Sequence, residues 1–326
     1  MTGDPPRSTG GVLGVLVAYR PGPELAEVVL AATPQVDRLF LWDNTEPGLP
    51  GARERLPRGG SEGQLELVRA PENRGLAVAY NRALEFALAH GFRYLFLLDQ
   101  DSRALPGTVA RLTASFAVFG PGSRAPAGGV NARNLEELEV RFSPKAALAR
   151  LLEARLSALR RRQRLASEGP LAERWTATNS GLLLDVGALR SVGGFDERLF
   201  LDAVDYDLSF RLRDSGYHLF RRDDALVRHR QGVPATVLGR PIRGYPPRRS
   251  YHLVRDTTIC ARTGWSTDRS VAFGILLSMW LGTLGALVLL PERGERAHQI
   301  LEGMRDAART ARTAGRVRNA PGQSPV

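Results

Sequence analysis

Two aspartates one residue apart, Asp99 and Asp101, are the side chains in this sequence with the clearest potential for chemistry. They follow an apolar run from Tyr94 to Leu98, which has the length and aromatic content of a buried central strand. Ligands bind at the carboxyl ends of strands in open α/β sheets. Two carboxylates at such an end can hold one hard divalent cation against a nucleotide's phosphates, although an isolated pair is also typical of an ordinary polar turn.

Acid or amide side chains recur at three other places where we expect strands to end. These are Asp43 with Asn44, Asn73 with Gly75, and the group of Asp202, Asp205 and Asp207. In a single parallel sheet these strand ends converge on one crevice. The sequence therefore predicts one polar site assembled from four separate segments.

The elements that would position these residues alternate between strand and helix patterns. Strands are predicted at 12–19, 36–42, 65–68, 94–98, 127–132 and 219–227, and helices at 24–32, 75–90 and 105–119. This order is typical of parallel strands joined by helical crossovers. We therefore predict an α/β fold.

Composition narrows the classes of partner. The 326 residues carry a net charge of +11, and Lys145 is the only lysine, so arginine supplies nearly all the positive charge. Nucleic acid, anionic membranes and phosphate-bearing substrates all suit such a balance. We find no recognition-helix pattern and no basic residues interleaved with aromatics, so nucleic acid is not an expected partner. The single cysteine, Cys260, excludes an internal disulfide and a cysteine-based zinc site.

Three regions are predicted along the chain. Residues 1–10 form a flexible N-terminus without a signal-peptide pattern, so we expect the body of the protein in the cytoplasm. Residues 11–262 form the α/β domain, with a basic helical insertion at about 135–168 that is either a surface helix or a face for a membrane or partner. Residues 263–326 form an apolar and basic helical region.

The C-terminal region leaves three interpretations open. Val271–Leu290 contains twenty residues without a charge and is followed by a basic amphipathic helix. The segment can lie in or re-enter the membrane, span the bilayer, or pack as a soluble helix. The first two interpretations make the region a membrane-associating appendage.

Seven short segments resemble, in order, a family 2 glycosyltransferase of the GT-A fold, and within it the bacterial rhamnosyltransferase-like branch. They are 17–21, 42–45, 72–81, 98–102, 179–181, 194–205 and 229–232. The resemblance covers roughly 12–262. It implies a Rossmann-like, mixed, mainly parallel sheet flanked by helices.

The resemblance also implies roles for individual residues. The expected nucleotide and donor-sugar contacts are Ala18, Tyr19, Asp43, Asn73, Gly75, Asp99, Ser180 and Gly181. The expected ligands of an Mg²⁺ or Mn²⁺ ion are Asp99, Asp101 and His229. Asp43 and Asn73 also suit simple capping roles, and Ser180 and Gly181 suit a plain tight turn.

Asp205 aligns with the family's catalytic base, which deprotonates the acceptor hydroxyl, and Asp202 is the expected contact to the acceptor or to Asp205. If this stretch begins a helix, the two carboxylates lie one turn apart on one face. Asp207 is instead expected to pair with Arg211 one turn later.

The implied activity is an inverting, metal-dependent transfer of rhamnose from dTDP-rhamnose, or of galactofuranose from its UDP donor. The expected acceptor is a lipid-linked glycan of a cell-wall or surface polysaccharide, at the cytoplasmic face of the bacterial inner membrane. A catalytically idle scaffold of the same fold at the membrane is the alternative. A nucleotidyltransferase fits poorly, because residues 19–23 are not a glycine- and arginine-rich phosphate loop.

Overall fold

The computed structural model describes residues 11–48, 63–119, 125–135, 167–229, 232–237, 240–262 and 269–318. The predicted flexible N-terminus and nearly all of the predicted basic insertion lie outside these ranges. The chain divides into two compact units. Unit 1 contains residues 1–141, 160–196 and 205–230, and unit 2 contains residues 142–159, 197–204 and 231–326.

Unit 1 is built on a ten-stranded sheet. Its strands are β1 (Val12–Ala18), β2 (Arg38–Asp43), β3 (Leu65–Arg69), β4 (Tyr94–Asp99), β5 (Ser102–Ala104), β6 (Ala127–Asn134), β7 (Ser167–Glu168), β8 (Leu171–Arg174), β9 (Leu182–Asp185) and β10 (His218–His229). The order across the sheet is β3-β2-β1-β4-β9-β6-β10-β8-β7, and β5 pairs with β10. All strands but β5, β8 and β9 run in one direction, so the predicted mixed, mainly parallel sheet is confirmed.

Helices flank this sheet and bury its apolar strands. They are α1 (Glu24–Ala32), α2 (Gly75–Ala89), α3 (Thr108–Val118), α4 (Val186–Ser191) and α5 (Val204–Asp214), the first residue of which belongs to unit 2. Every residue of β1 is buried, which is why its sequence is a continuous apolar run rather than an alternating one. The same burial holds β4 in place up to Leu98, after which polar side chains begin.

The structure corrects three expectations about the elements of the fold. The site does not lie at the edge of a single parallel sheet, because β9 runs antiparallel between β4 and β6. Asp205 and Asp207 do not follow a strand but lie in the first turn of α5, and Asp202 precedes that helix. Helix α3 begins at Thr108 rather than at Leu105, because the preceding residues form β5 and pair with β10.

The described residues of unit 2 form a small antiparallel hairpin and three helices, so the predicted C-terminal helical region is present. The elements are β11 (Val233–Val237), β12 (Arg240–Gly244), α6 (Pro247–Ala261), α7 (Arg269–Leu289) and α8 (Arg293–Arg318). Helix α6 packs against both α7 and α8. Among the described helices, none combines the length and apolar character needed to cross a membrane.

Candidate metal and nucleotide site

Asp99, Asp101 and His229 form one cluster in unit 1. Asp99 is the last residue of β4, Asp101 lies in the following turn, and His229 is the last residue of β10. The His229 Nε2 atom lies 3.7 Å from Asp99 Oδ2, and its Nδ1 atom lies 3.2 Å from Asp101 Oδ1. The structure therefore brings together the three predicted metal ligands.

Two serines fix the imidazole of His229. The register of the β5–β10 pair places Ser102 opposite His229, and the Ser102 hydroxyl lies 2.8 Å from His229 Nδ1. The same hydroxyl lies 2.6 Å from the Ser180 hydroxyl. Ser180 was a predicted site residue, whereas no role was predicted for Ser102. In the sequence, the indication of a role for Ser102 is that it directly follows Asp101.

The donor set of this cluster fits a divalent cation. Two carboxylates and one imidazole are ligands that Mn²⁺ accepts, and the carboxylates also suit Mg²⁺. The ligating atoms lie within 4.8 Å of one another. The side chains of Asp99 and Asp101 are 29% and 37% exposed, so water or phosphate oxygens can complete a coordination shell. Asp99, Asp101 and His229 could thus hold a metal ion.

The ends of β1 and β2 lie beside the end of β4. Ala18 pairs with Asp43 in register, and both residues are fully buried. Asp43 Oδ1 accepts a hydrogen bond of 2.9 Å from the backbone N–H of Thr45, which corresponds to the capping role considered above. The Tyr19 N–H donates to Gln100 Oε1 at 2.8 Å and thereby joins the β1 end to the turn after β4.

The start of α2 is held by amide side chains. Gly75 has a φ of +84°, a conformation that glycine adopts without steric cost, and its N–H donates to Asn73 Oδ1 at 3.0 Å. Its carbonyl accepts a hydrogen bond of 3.0 Å from Asn44 Nδ2. Asn44 therefore joins the β2 end to α2, a role that the sequence analysis did not assign to it.

Gly181 lies against the end of β4. Its φ is +77°, and its N–H donates to the Leu97 carbonyl at 2.9 Å. An added Cβ would lie 2.9 Å from Val227 Cγ1, so the close approach of the Val227 side chain leaves no room for a side chain at this position. This contact holds the neighbouring Ser180 next to the metal-ligand cluster.

Asp205 lies half-buried in the first turn of α5, where its Oδ1 accepts a hydrogen bond of 2.9 Å from the Tyr206 N–H. Tyr80 of α2 is fully buried, and the charges of both Asp99 and Asp205 act on its hydroxyl. Burial, and then the charges of Asp99 and Asp205, hold the pKa of Tyr80 well above its usual range, so its hydroxyl keeps its proton. No role in the site was predicted for Tyr80 from the sequence.

The remaining two aspartates of this segment differ in role. Asp207 is fully buried and accepts from Arg211 Nε at 2.8 Å, which confirms the predicted pair. Asp202 belongs to unit 2, where its Oδ1 accepts from Arg249 Nη2 at 3.1 Å. Ala203 has a φ of +61°, which separates Asp202 from α5. The expectation that Asp202 and Asp205 share one helix face is therefore wrong.

Comparisons with known proteins identify the fold. No protein-family model and no curated protein sequence matches the chain. The structure of S. aureus TarS residues 1–349 in complex with UDP-GlcNAc superposes with a TM-score of 0.55 at 11% identity, covering 91% of this chain and 80% of that chain. The chain has the GT-A fold.

Two further TarS structures give the same result. Another structure of S. aureus TarS residues 1–349 has a TM-score of 0.51 at 13% identity, with 91% of this chain and 80% of that chain covered. A longer S. aureus TarS structure has a TM-score of 0.52 at 12% identity, with 92% of this chain and 49% of that chain covered. At these identities the likeness establishes the fold, and it does not distinguish the rhamnosyltransferase-like branch.

Proposed function

We propose that this protein is a glycosyltransferase that uses a nucleotide-sugar donor. The observation that carries the proposal is the cluster of Asp99, Asp101 and His229 at the end of β4, beside the ends of β1 and β2, in a GT-A fold. Carboxyl ends of neighbouring strands are where nucleotides bind in α/β sheets. TarS, which has the same fold, binds UDP-GlcNAc.

Different residues of unit 1 would contact different parts of the donor. Asp43, Tyr19 and Ala18 would contact the base and ribose, and Gly75 allows the backbone of α2 to approach the nucleotide closely. Asp99, Asp101 and His229 would hold Mg²⁺ or Mn²⁺. A divalent cation, when bound, supplies positive charge that neutralises the departing diphosphate. The Ser180–Gly181 turn would line the donor sugar.

Asp205 is the proposed catalytic base. Its carboxylate would accept the proton of the acceptor hydroxyl while that oxygen bonds to the anomeric carbon. The bond from the anomeric carbon to the phosphate oxygen breaks, and the nucleoside diphosphate leaves on the opposite face, which inverts the anomeric centre. Tyr80, whose raised pKa keeps it protonated, adds no negative charge beside Asp99 and Asp205.

The finer assignment rests on the seven segments that resemble the rhamnosyltransferase-like branch. We propose dTDP-rhamnose, or UDP-galactofuranose, as the donor and a lipid-linked glycan as the acceptor. Asp202 would contact the acceptor. The reaction would take place at the cytoplasmic face of a bacterial inner membrane, in cell-wall or surface polysaccharide synthesis. A catalytically idle scaffold is the alternative.

The test is the melting temperature of the full chain with dTDP-rhamnose, UDP-galactofuranose and UDP-GlcNAc, each with Mn²⁺, Mg²⁺ or EDTA. A ligand at one hundred times its Kd stabilises the folded state by about 2.7 kcal/mol. For a domain of this size we expect the correct donor to raise Tm by roughly 5 °C with metal, and by much less in EDTA. Asp101→Ala should remove the metal-dependent part.

The matched control is Asp223→Ala, which removes an exposed carboxylate from β10 of the same sheet. It should retain the full shift. If no nucleotide sugar changes Tm with any metal, the nucleotide site is refuted. If the donor binds but the protein releases no free nucleoside diphosphate when a mixture of acceptors is added, the catalytically idle scaffold is favoured over the enzyme.

A further inference from the structure

Helix α7 has one face packed inside unit 2. Leu276, Met279, Thr283 and Ala286 are buried, and their spacing of three or four residues is that of a single helix face. Thr257 of α6 lies within 3.8 Å of the Met279 sulfur, so this face contacts α6. The packed face accounts for the apolar residues on one side of α7 only.

The other side of α7 is apolar as well, and it is exposed. Five large side chains form what we call the α7 stripe: Phe273 (67% exposed), Leu277 (40%), Leu281 (42%), Leu284 (44%) and Val288 (62%). At 100° per residue they fall within an arc of about 80°, on a different side from the buried set. A contiguous exposed apolar surface of this kind typically marks an interaction site.

The C-terminal part of the sequence, which contains the stripe, is strongly basic. Residues 231–326 contain fourteen arginines and six acidic residues, so this part carries +8 of the chain's net +11. Within α7 the residues after Arg269 carry no charge, and charge resumes beyond Pro291. Helix α8 exposes two more apolar side chains, Leu301 (52%) and Met304 (45%), immediately before Arg305.

We propose that the α7 stripe binds the surface of an anionic lipid bilayer, with α7 lying in the plane of the membrane. An apolar helix face flanked by arginine is the pattern of helices that insert shallowly at the boundary between headgroups and acyl chains. Arginine near an anionic surface adds attraction that salt weakens. The buried residues of α7 already pack inside unit 2, so the stripe is the face of this helix that is available to lipid.

Charge also selects the bilayer over a second copy of this chain. A symmetric dimer formed through the stripe would bring two regions of +8 together, and like charges at an interface oppose association. A bilayer containing anionic lipid instead provides both the apolar interior and the opposite charge. This inference uses residues of unit 2 alone and does not depend on the proposed glycosyltransferase activity.

The test is co-sedimentation of the full chain with vesicles of phosphatidylcholine alone, or of phosphatidylcholine with 30% phosphatidylglycerol. We expect binding to the anionic vesicles, weakening as NaCl rises. The double variant Leu281→Glu with Val288→Glu should bind at least tenfold more weakly, because it places two charges within the lipid-facing arc. Arg305→Gln with Arg309→Gln should bind roughly tenfold more weakly and depend less on salt.

The matched control is Leu30→Glu, which makes the same substitution at an apolar residue of α1 that is 74% exposed. It should bind vesicles like the wild type. The stripe positions are solvent-exposed, so circular dichroism should give wild-type Tm values for all variants. Equal vesicle binding by the stripe variant and the wild type would overturn the proposal. So would a dimer, seen by light scattering, that the stripe variant abolishes while neither protein binds lipid.

Discussion

Asp256 forms hydrogen bonds with the backbone of residues 200–202, the segment that leads into α5. It is fully buried on α6, and its Oδ2 accepts hydrogen bonds from the backbone N–H groups of Phe200, Leu201 and Asp202 at 3.1, 2.9 and 3.0 Å. Its Oδ1 accepts a further bond from Arg255 Nη1. We predict that Asp256→Asn, which keeps the size of the side chain, loosens this segment.

The magnitude follows from the charge. Burial raises the pKa of Asp256 to about 6, against the opposing effect of the N–H groups and Arg255, so the group is a carboxylate at pH 8. Hydrogen bonds to a charged group contribute roughly 1 kcal/mol more than neutral ones, and three such N–H groups are affected. Arg255 also loses its partner. We expect the free energy of opening at these three N–H groups to fall by about 3 kcal/mol at pH 8. The free energy of global unfolding should fall by less, because asparagine also removes the buried charge whose burial raises the pKa.

The assay is amide hydrogen exchange at residues 200–202, followed by mass spectrometry at pH 8. It reports the free energy of opening at the three N–H groups themselves. A loss of about 3 kcal/mol corresponds to exchange that is roughly a hundredfold faster. Asp223→Asn is the control, because Asp223 pairs with Arg221 at the surface of β10 and such pairs contribute little. A change of less than threefold in Asp256→Asn would refute the reasoning.

Two further predictions concern pH and backbone conformation. Burial, then Arg248, Arg255 and Arg249, lower the pKa of His252 to about 4. The unfolded chain therefore binds the extra proton between about pH 4 and 6.5, so His252 by itself should add about 2 kcal/mol of stability as pH rises across that window. Asp256, whose pKa is raised to about 6, has the opposite effect over the same range. His252→Gln should remove the His252 contribution from the pH dependence of the urea-unfolding midpoint, and the same pH dependence in both proteins would exclude it. Gly181→Ala meets both a φ of +77° and Val227 Cγ1 at 2.9 Å, so we expect a loss of about 3 kcal/mol in urea unfolding. Gly216→Ala is the control, because Gly216 has a φ of +84° but nothing lies within 4 Å of an added Cβ. It should lose only the backbone-strain contribution, about 1 kcal/mol. Equal losses of stability in the two variants would contradict the steric argument.

The part of the fold predicted best from sequence is the set of buried strands. The apolar runs at β1, β2 and β4 are long and continuous because both faces of the sheet are covered, so they stand out from their neighbours. Each ends at a change from apolar to polar residues, which located Asp43 and Asp99. Asp99 and Asp101, the two carboxylates of the candidate cluster, were predictable for the same reason.

The direction and pairing of the later strands could not be predicted in this way. β5 is three residues long and exists because it pairs with β10, a contact more than a hundred residues away in sequence. β9 runs antiparallel to β4, which no local pattern indicates. The roles of Ser102 and Tyr80 depend on these long-range pairings and on burial beside charged groups, so they emerged only from the three-dimensional arrangement.

The pairing of β5 with β10 has a consequence for how the protein acquires its site. Ser102 and His229 come together only when two segments separated by more than a hundred residues meet in the correct register. Closing such a long loop costs chain entropy before any contact repays it, and contacts of this range form slowly. During synthesis, moreover, Asp99 and Asp101 leave the ribosome long before His229. A nascent chain would therefore present two carboxylates without the imidazole, and the complete set of candidate metal ligands would form only when unit 1 is complete.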